Sequence, residues 1–210
     1  TDFNSYPRHI KNDLKILQDL KVNYVFIPEY NDIFSFKPKK KIFLDKFSNQ
    51  LCGKYRKGHF EGVLNVVNRF IEIIKPKYIF LGMKDFQQSY LIKKHIEKNC
   101  IKTKVISCKT IREKNGVACS TRNNNLNNNK LLIAAKVYWL LKNNKKKLKK
   151  NLTKFSYLNF KKNLLKLGLE KIDYIEILNS TTLIKPKFEN EKFKIFIAYY
   201  INKTRLIDNI

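Results

Sequence analysis

Apolar residues recur along the first half of the chain with two different periods, and the switches between them predict the elements. Ile10, Leu14, Leu17 and Leu20 fall at helical spacing, so a helix is expected over residues 9–20. A β-branched and aromatic run at 22–27 follows and reads as a strand ended by Pro28. A polar, Lys-rich stretch holds a candidate short strand at 42–44. Val63, Val66, Val67, Phe70, Ile71 and Ile74 mark a second helix, which Pro76 closes. Residues 78–81 read as a fully buried strand, 86–98 as a helix with Tyr90, Ile92 and Ile96 inward, and 103–107 as another strand. Helix and strand alternating at this spacing imply an α/β unit whose parallel sheet is covered on both faces.

The pattern changes near residue 117. Residues 123–129 form an Asn-rich loop, 130–141 a strongly apolar helix holding the single Trp139, and 145–150 a basic run that reads as a solvated linker or a helix end. A helix over 155–167 capped by Gly168, and strands at 172–178 and 193–201, complete the list. The expected organisation is therefore one domain over 1–117 and a small α+β domain over 118–210.

Composition narrows the partners. The 210 residues are 43% hydrophobic, enough to bury one large core or two modest ones, so extended disorder is not expected. Apolar runs such as 131–135 fall far short of the roughly 20 residues of a membrane span, so no membrane partner is expected. Thr1 opens the chain without a charged and then apolar leader, so no secretory signal is expected. The formal charge of +27 invites a polyanion. Yet 38 of the basic residues are Lys and 6 are Arg, beside 24 Asn, 24 Ile and 4 Ala. That is the signature of A/T-rich codons, and Arg, the residue best shaped for bidentate phosphate or guanine contacts, is scarce. Nucleic acid is thus disfavoured as the partner, and the basic surface serves mainly solubility. Cys52, Cys100, Cys108 and Cys119 form no C-x-x-C pair and have no zinc-like spacing to His9, His59 or His95, so no metal ligands are assigned. They are expected as reduced thiols in a cytoplasmic protein.

Three segments can carry chemistry. Gly82-Met83-Lys84-Asp85-Phe86-Gln87-Gln88 follows a strand at the carboxyl end of a parallel sheet, where open α/β sheets bind ligands. Lys84 can face a phosphate, and a helix N-terminus supplies N–H groups. Equally, Asp85 and Gln88 have capping-box spacing. In the second segment Asn115-Gly116 marks a turn, and Ser120, Thr121 and Arg122 follow, hydroxyls beside a guanidinium that suits polyphosphate. A hairpin and an N-cap would read the same way. The third, residues 52–63, holds three of the six glycines before a helix, with His59 as either a cap or a catalyst.

Taken in order, Tyr6-Pro7-Arg8, Arg56-Lys57-Gly58-His59-Phe60-Glu61-Gly62-Val63, the Gly82 to Gln88 segment, Gly116 through Asn123, and Arg205-Leu206-Ile207-Asp208-Asn209 resemble the pantoate–β-alanine ligases of coenzyme A biosynthesis along essentially the whole chain. The resemblance implies a partial Rossmann-like nucleotidyltransferase domain with a parallel sheet, then a small α+β domain, usually in a homodimer. It implies that ATP with Mg²⁺ adenylates pantoate, and that the amine of β-alanine then displaces AMP to give pantothenate. Carried over by residue, Gly82, Met83, Lys84 and Asp85 form the nucleotide loop with Lys84 on the phosphates, and Gln88 bonds pantoate. Ile111 lies near the adenine, and Cys119, Ser120, Thr121 and Arg122 close over the phosphates. Lys84, Ser120 and Arg122 are the catalytic candidates.

The chain also departs from that family. Met83 and Cys52 stand where Glu is usual, Thr121 replaces Ser, and Cys119 replaces an aliphatic residue. The family's Met-Gly-x-Leu-His-x-Gly-His signature and its Asn-Pro-x-Gln-Phe stretch are not among these residues, so the 210 residues alone are expected to make no detectable pantothenate. The alternatives are a basic module for nucleic acid or another polyanion, and a scaffold that folds without binding.

Overall fold

Helix α1 (Ile10–Asp19) forms on the expected spacing, yet it buries none of its side chains, and Ile10, Leu14 and Ile16 are exposed. The computed structural model describes residues 10–152 and 156–210; Tyr6-Pro7-Arg8, His9 and Phe155 lie outside the described residues. The run at 22–27 is not a strand. Tyr24 is 93% exposed, and the contact formed is Phe26 edge-on to Phe70, with ring centroids 6.2 Å apart. β-branched residues make a strand only where a neighbour offers backbone groups to pair, and no described strand pairs with this run. A short helix α2 (Tyr30–Phe34) follows.

Residues 42–44 are also no strand; side chains from two helices instead hold the backbone at Lys39, Lys40 and Phe43. The N–H groups of Lys39 and Lys40 donate to Glu72, and that of Phe43 donates to His95 Nδ1 at 3.1 Å. Burial holds the His95 pKa below its ordinary value, which keeps that nitrogen an acceptor. Arg69 completes the clamp, donating to the Ile33 carbonyl at 2.8 Å and pairing with Glu72.

After α3 (Leu51–Tyr55), helix α4 (His59–Ile74) runs into strand β1 (Tyr78–Gly82). Helix α5 (Phe86–Lys98) then crosses to β2 (Lys104–Cys108), which pairs with β1 in parallel from Tyr78 opposite Lys104 to Gly82 opposite Cys108. Ile79, Leu81 and Val105 point from this sheet onto Leu64 and Ile71 of α4 and Ile92 and Ile96 of α5. The other face is open, with Tyr78, Phe80 and Ile106 exposed, so β1 is not fully buried and the sheet is covered on one face. An unbroken apolar run predicts burial on both sides; alternation of exposure is what results when helices pack on one side.

The later part is built on an antiparallel sheet of order β3 (Lys171–Asn179), β4 (Phe193–Ile201), β5 (Thr204–Asn209). Helices α6 (Asn128–Lys150) and α7 (Tyr157–Lys166) cover it, and Leu141, Leu148, Leu164, Ile195 and Ile197 form its core. The basic run at 145–150 is the end of α6 and not a linker, anchored by buried Leu148. The Asn-rich stretch is only partly loop: Thr121–Asn125 is a 3₁₀ turn, and Asn127 accepts from the Lys130 N–H to start α6. Strand β5 is absent from the sequence reading because Thr204, Arg205, Asp208 and Asn209 break any apolar alternation.

A shared apolar seam joins the two parts, where Phe47, Leu51, Phe60 and Phe86 meet Tyr174, Leu178 and Phe196. Between them lies a small hairpin, with Arg112 bridging to Ala118. Its turn needs glycine: Gly116 has φ +94°, and a Cβ there would come within 2.1 Å of the Tyr138 ring. Gly116→Ala should therefore destabilise the fold by roughly 2 kcal/mol or more, read as a lowered midpoint of urea unfolding. An unchanged midpoint would show that the hairpin does not rest on Tyr138.

Candidate functional site

Strand β1 ends at Gly82 and passes through a 3₁₀ turn (Met83–Asp85) into α5, so Lys84 and Asp85 emerge where a parallel strand meets a helix N-terminus. Asp85 occupies the N-cap position without a side-chain cap bond, so the capping-box alternative is not realised. From the opposite side the 112–118 hairpin delivers Ser120, whose Oγ accepts the Arg122 N–H at 3.3 Å and caps the turn that carries Arg122. Both bland readings of that segment, hairpin and cap, are present. They aim Ser120 and Arg122 into the cleft that Lys84 faces.

Lys84, Asp85, Gln88, Ser120 and Arg122 all line this one cleft. Gly82, Met83, Cys119 and Thr121 belong to the same segments but not to its wall, and Ile111 stands outside it, 71% exposed. Arg56, His59 and Arg205 also line it; the sequence offers His59 as a cap or a catalyst and gives Arg56 and Arg205 no role. Arg56 donates to His59 Nε2 at 2.9 Å, so that nitrogen is an acceptor and the ring is neutral. His59 is held down at about 4, by burial first, then by the positive charges of Arg56, Arg205 and Arg122, against the upward pull of Asp85. The imidazole thus stays neutral because it is buried first and because three guanidinium charges stand near it next.

A buried carboxylate holds one of the cations. Arg205 pairs at 2.8 Å with Asp173, whose carboxylate is 1% exposed and also meets Lys171 at 3.3 Å. Cys52 packs its Sγ 3.1 Å from the Tyr174 hydroxyl and 3.8 Å from both terminal nitrogens of Arg205. Burial, with Cys52 next, pushes the Tyr174 hydroxyl up, so it stays protonated. Gln87 fixes the Cys52 segment: its Oε1 accepts the Cys52 N–H, and its Nε2 donates to the carbonyls of Phe47 and Gln50. Gly53 lets this segment close, since a Cβ there would fall 1.6 Å from the Ser48 carbonyl oxygen.

The end of β5 ties the two walls together. Asp208 takes a bidentate pair from Arg112, both bonds 2.8 Å, and Arg112 also donates to the Gly116 carbonyl. Asn209 donates to the carbonyls of Met83 and Lys84. Nothing in the sequence gives Asp208 and Asn209 a task. Among the described residues no three His, Cys, Asp or Glu side chains cluster as metal ligands, and no described helix is long and apolar enough to cross a membrane.

A family model described as pantoate-beta-alanine ligase matches residues 1–210. The chain is 36% identical over 210 residues to the pantothenate synthetase of Endomicrobium trichonymphae, covering all of this chain and 74% of that protein. It is 35% identical to the pantothenate synthetase of Flavobacterium psychrophilum, covering all of this chain and 76% of the relative. Among solved structures, the pantoate-beta-alanine ligase of Francisella tularensis, complexed with beta-gamma ATP and beta-alanine, superposes with a TM-score of 0.78 at 34% identity, over the whole chain and 72% of that structure. The fold also matches the pantothenate synthetase of Thermus thermophilus, with a TM-score of 0.86 at 24% identity, over the whole chain and 77% of that structure.

The His59 environment has a consequence for acid stability. Between about 4 and 6.5 the unfolded chain binds a proton on His59 that the folded chain refuses. Stability therefore rises with pH across that window and is lost as pH falls through it. The His59 ring protons should titrate near 4 by NMR, and Arg56→Met should raise that midpoint; a native midpoint near 6.5 would contradict the described cleft.

Proposed function

The chain belongs to the pantoate-beta-alanine ligase family, and on that premise we propose that its cleft binds ATP with Mg²⁺ and joins pantoate to β-alanine through a pantoyl adenylate. A carboxylate oxygen of pantoate attacks the α-phosphorus and pyrophosphate leaves. The amine of β-alanine then attacks the acyl carbon, AMP leaves, and the amine proton passes to solvent.

The observation that carries this reading is the meeting of Lys84, Ser120 and Arg122 from separate segments in one cationic cleft. Such groups fit a triphosphate: Lys84 offers a point charge, Arg122 a fork for two oxygens of the departing pyrophosphate, and Ser120 a hydroxyl donor. Gly82, Met83, Lys84 and Asp85 make the nucleotide loop, Ile111 flanks the adenine, and Cys119 and Thr121 complete the segment over the phosphates. Gln88, on the first turns of α5, takes pantoate. Mg²⁺ is commonly held by one or two carboxylates together with phosphate oxygens; Asp85, on the cleft wall, would be the carboxylate to hold it, and the ion would neutralise charge on the phosphates. In this setting the protein works by holding reactants together and stabilising developing charge.

The same reading divides the chain into domains over 1–117 and 118–210, assembles it as a homodimer, and has it work in the cytoplasm. It also holds that these 210 residues alone form little or no pantothenate. The histidine signature the family uses on ATP phosphates is not among them, and each lost donor to a transition state costs about 10²- to 10³-fold in rate.

Lys84→Ala and Arg122→Ala should each weaken binding of an Mg²⁺–ATP analogue by roughly 10- to 100-fold, as charge-assisted contacts of about 1.5–3 kcal/mol require. Isothermal titration on the 210-residue chain measures this. Unchanged affinity in both variants would overturn the site, and tight, salt-sensitive polynucleotide binding without nucleotide binding would favour a basic binding module instead. Pantothenate formation by this chain at an ordinary enzyme turnover would refute the expected inactivity.

A further inference from the structure

Asn209 lies at the end of β5, 4% exposed, and every polar group of its side chain is used. Its Oδ1 accepts from the Lys194 ammonium at 2.8 Å, and its Nδ2 donates to the carbonyls of Met83 at 2.8 Å and Lys84 at 2.9 Å. An ammonium has no acceptor and a carbonyl no donor, so these partners fix which way the amide faces. Its backbone N–H is held by Asp208 Oδ1 at 2.7 Å, on the carboxylate that grips Arg112.

From this geometry we infer that Asn209 is a positioning residue of the ligase reaction, holding the two successive peptide planes after Met83 and Lys84 so that the Lys84 ammonium points into the cleft. The inference rests on the assignment of Lys84 to the nucleotide phosphates. Two consecutive carbonyls held by one amide leave the backbone between them little rotation, and the Lys84 side chain departs from that backbone. No other amino acid of the same shape can do this. Aspartate matches asparagine in size and would keep, even strengthen, the Lys194 contact, but it would turn an acceptor oxygen toward both carbonyls.

That contrast supplies the test. Asn209→Asp and Asn209→Ala are compared with the unaltered 210-residue chain by three readouts: the Kd for Mg²⁺ with β,γ-methylene ATP, the Kd for pantoate, and amide hydrogen exchange at residues 83–86. Asn209→Asp should leave the thermal midpoint within a few degrees, speed exchange at 83–86, and weaken the nucleotide on the order of 10- to 100-fold, as loss of two hydrogen bonds implies. Pantoate affinity should stay within about twofold, because Gln88 sits beyond the released turn. Asn209→Ala should do the same; should it fail to fold, the isosteric variant decides. Unchanged exchange and unchanged nucleotide affinity in Asn209→Asp would overturn the inference, as would equal weakening of both ligands, which marks a merely structural loss. An unaltered chain that binds no nucleotide would instead overturn the functional reading on which the inference stands.

Discussion

The pair between Arg112 and Asp208 is the constraint on which the cleft depends. Asp208 is 8% exposed and Arg112 19%, so neither charge is solvated enough to stand alone. Removing one partner of such a pair typically costs about 3–5 kcal/mol, because the other is left uncompensated. The pair also decides geometry. Through Arg112 it grips the Gly116 carbonyl and the hairpin that leads to Ser120 and Arg122. Through the adjoining Asn209 it reaches the turn that carries Lys84. Two neighbouring residues of β5 thus set the separation of two walls that lie far apart in sequence.

The second organising fact is where the acids stand. Asp173 is buried against Arg205 outside the cleft wall, whereas Asp208, buried against Arg112, lines the cleft. Asp85 faces the cleft beside Lys84, Arg56 and Arg122. The wall thus carries four cations, Arg56, Lys84, Arg122 and Arg205, against two carboxylates, Asp85 and Asp208, and His59 within it is held below its ordinary value by burial first and by the neighbouring guanidinium charges next. Such an arrangement is costly while empty and relaxes when a polyanion enters, which is how a preorganised phosphate site behaves. Cys52 fits the same logic: the thiol fills the space between Tyr174 and Arg205 without adding charge, and Asp173 is the carboxylate that neutralises the guanidinium.

Much of this was legible in the chain. The spacing of Val63 to Ile74 gave α4, Phe86 to Lys98 gave α5, and the run Phe193 to Ile201 gave β4 at the expected bounds. Periodicity failed where pairing partners rather than propensity decide the outcome: 22–27 has β-forming residues and no strand partner among the described residues, whereas β5 has a strand partner and few β-forming residues. The cleft was legible as segments but not as a wall. Lys84, Ser120 and Arg122 stood out by residue type beside a turn, while Asn209 and Asp208 looked like an ordinary polar chain end. The arginines carry a further signal. In a chain whose basic positions have drifted to Lys, arginine marks places where a planar fork is needed. Arg69 and Arg205 each grip a carboxylate, as Arg112 does, and Arg56 and Arg122 line the cleft.

The most direct measurement is a crystal structure of the chain with Mg²⁺ and a non-hydrolysable ATP analogue. The account predicts the triphosphate between the Lys84 ammonium and the Arg122 guanidinium, with Ser120 on a phosphate oxygen and the metal beside Asp85. A nucleotide bound along the basic end of α6, with Lys84 and Arg122 untouched, would contradict it.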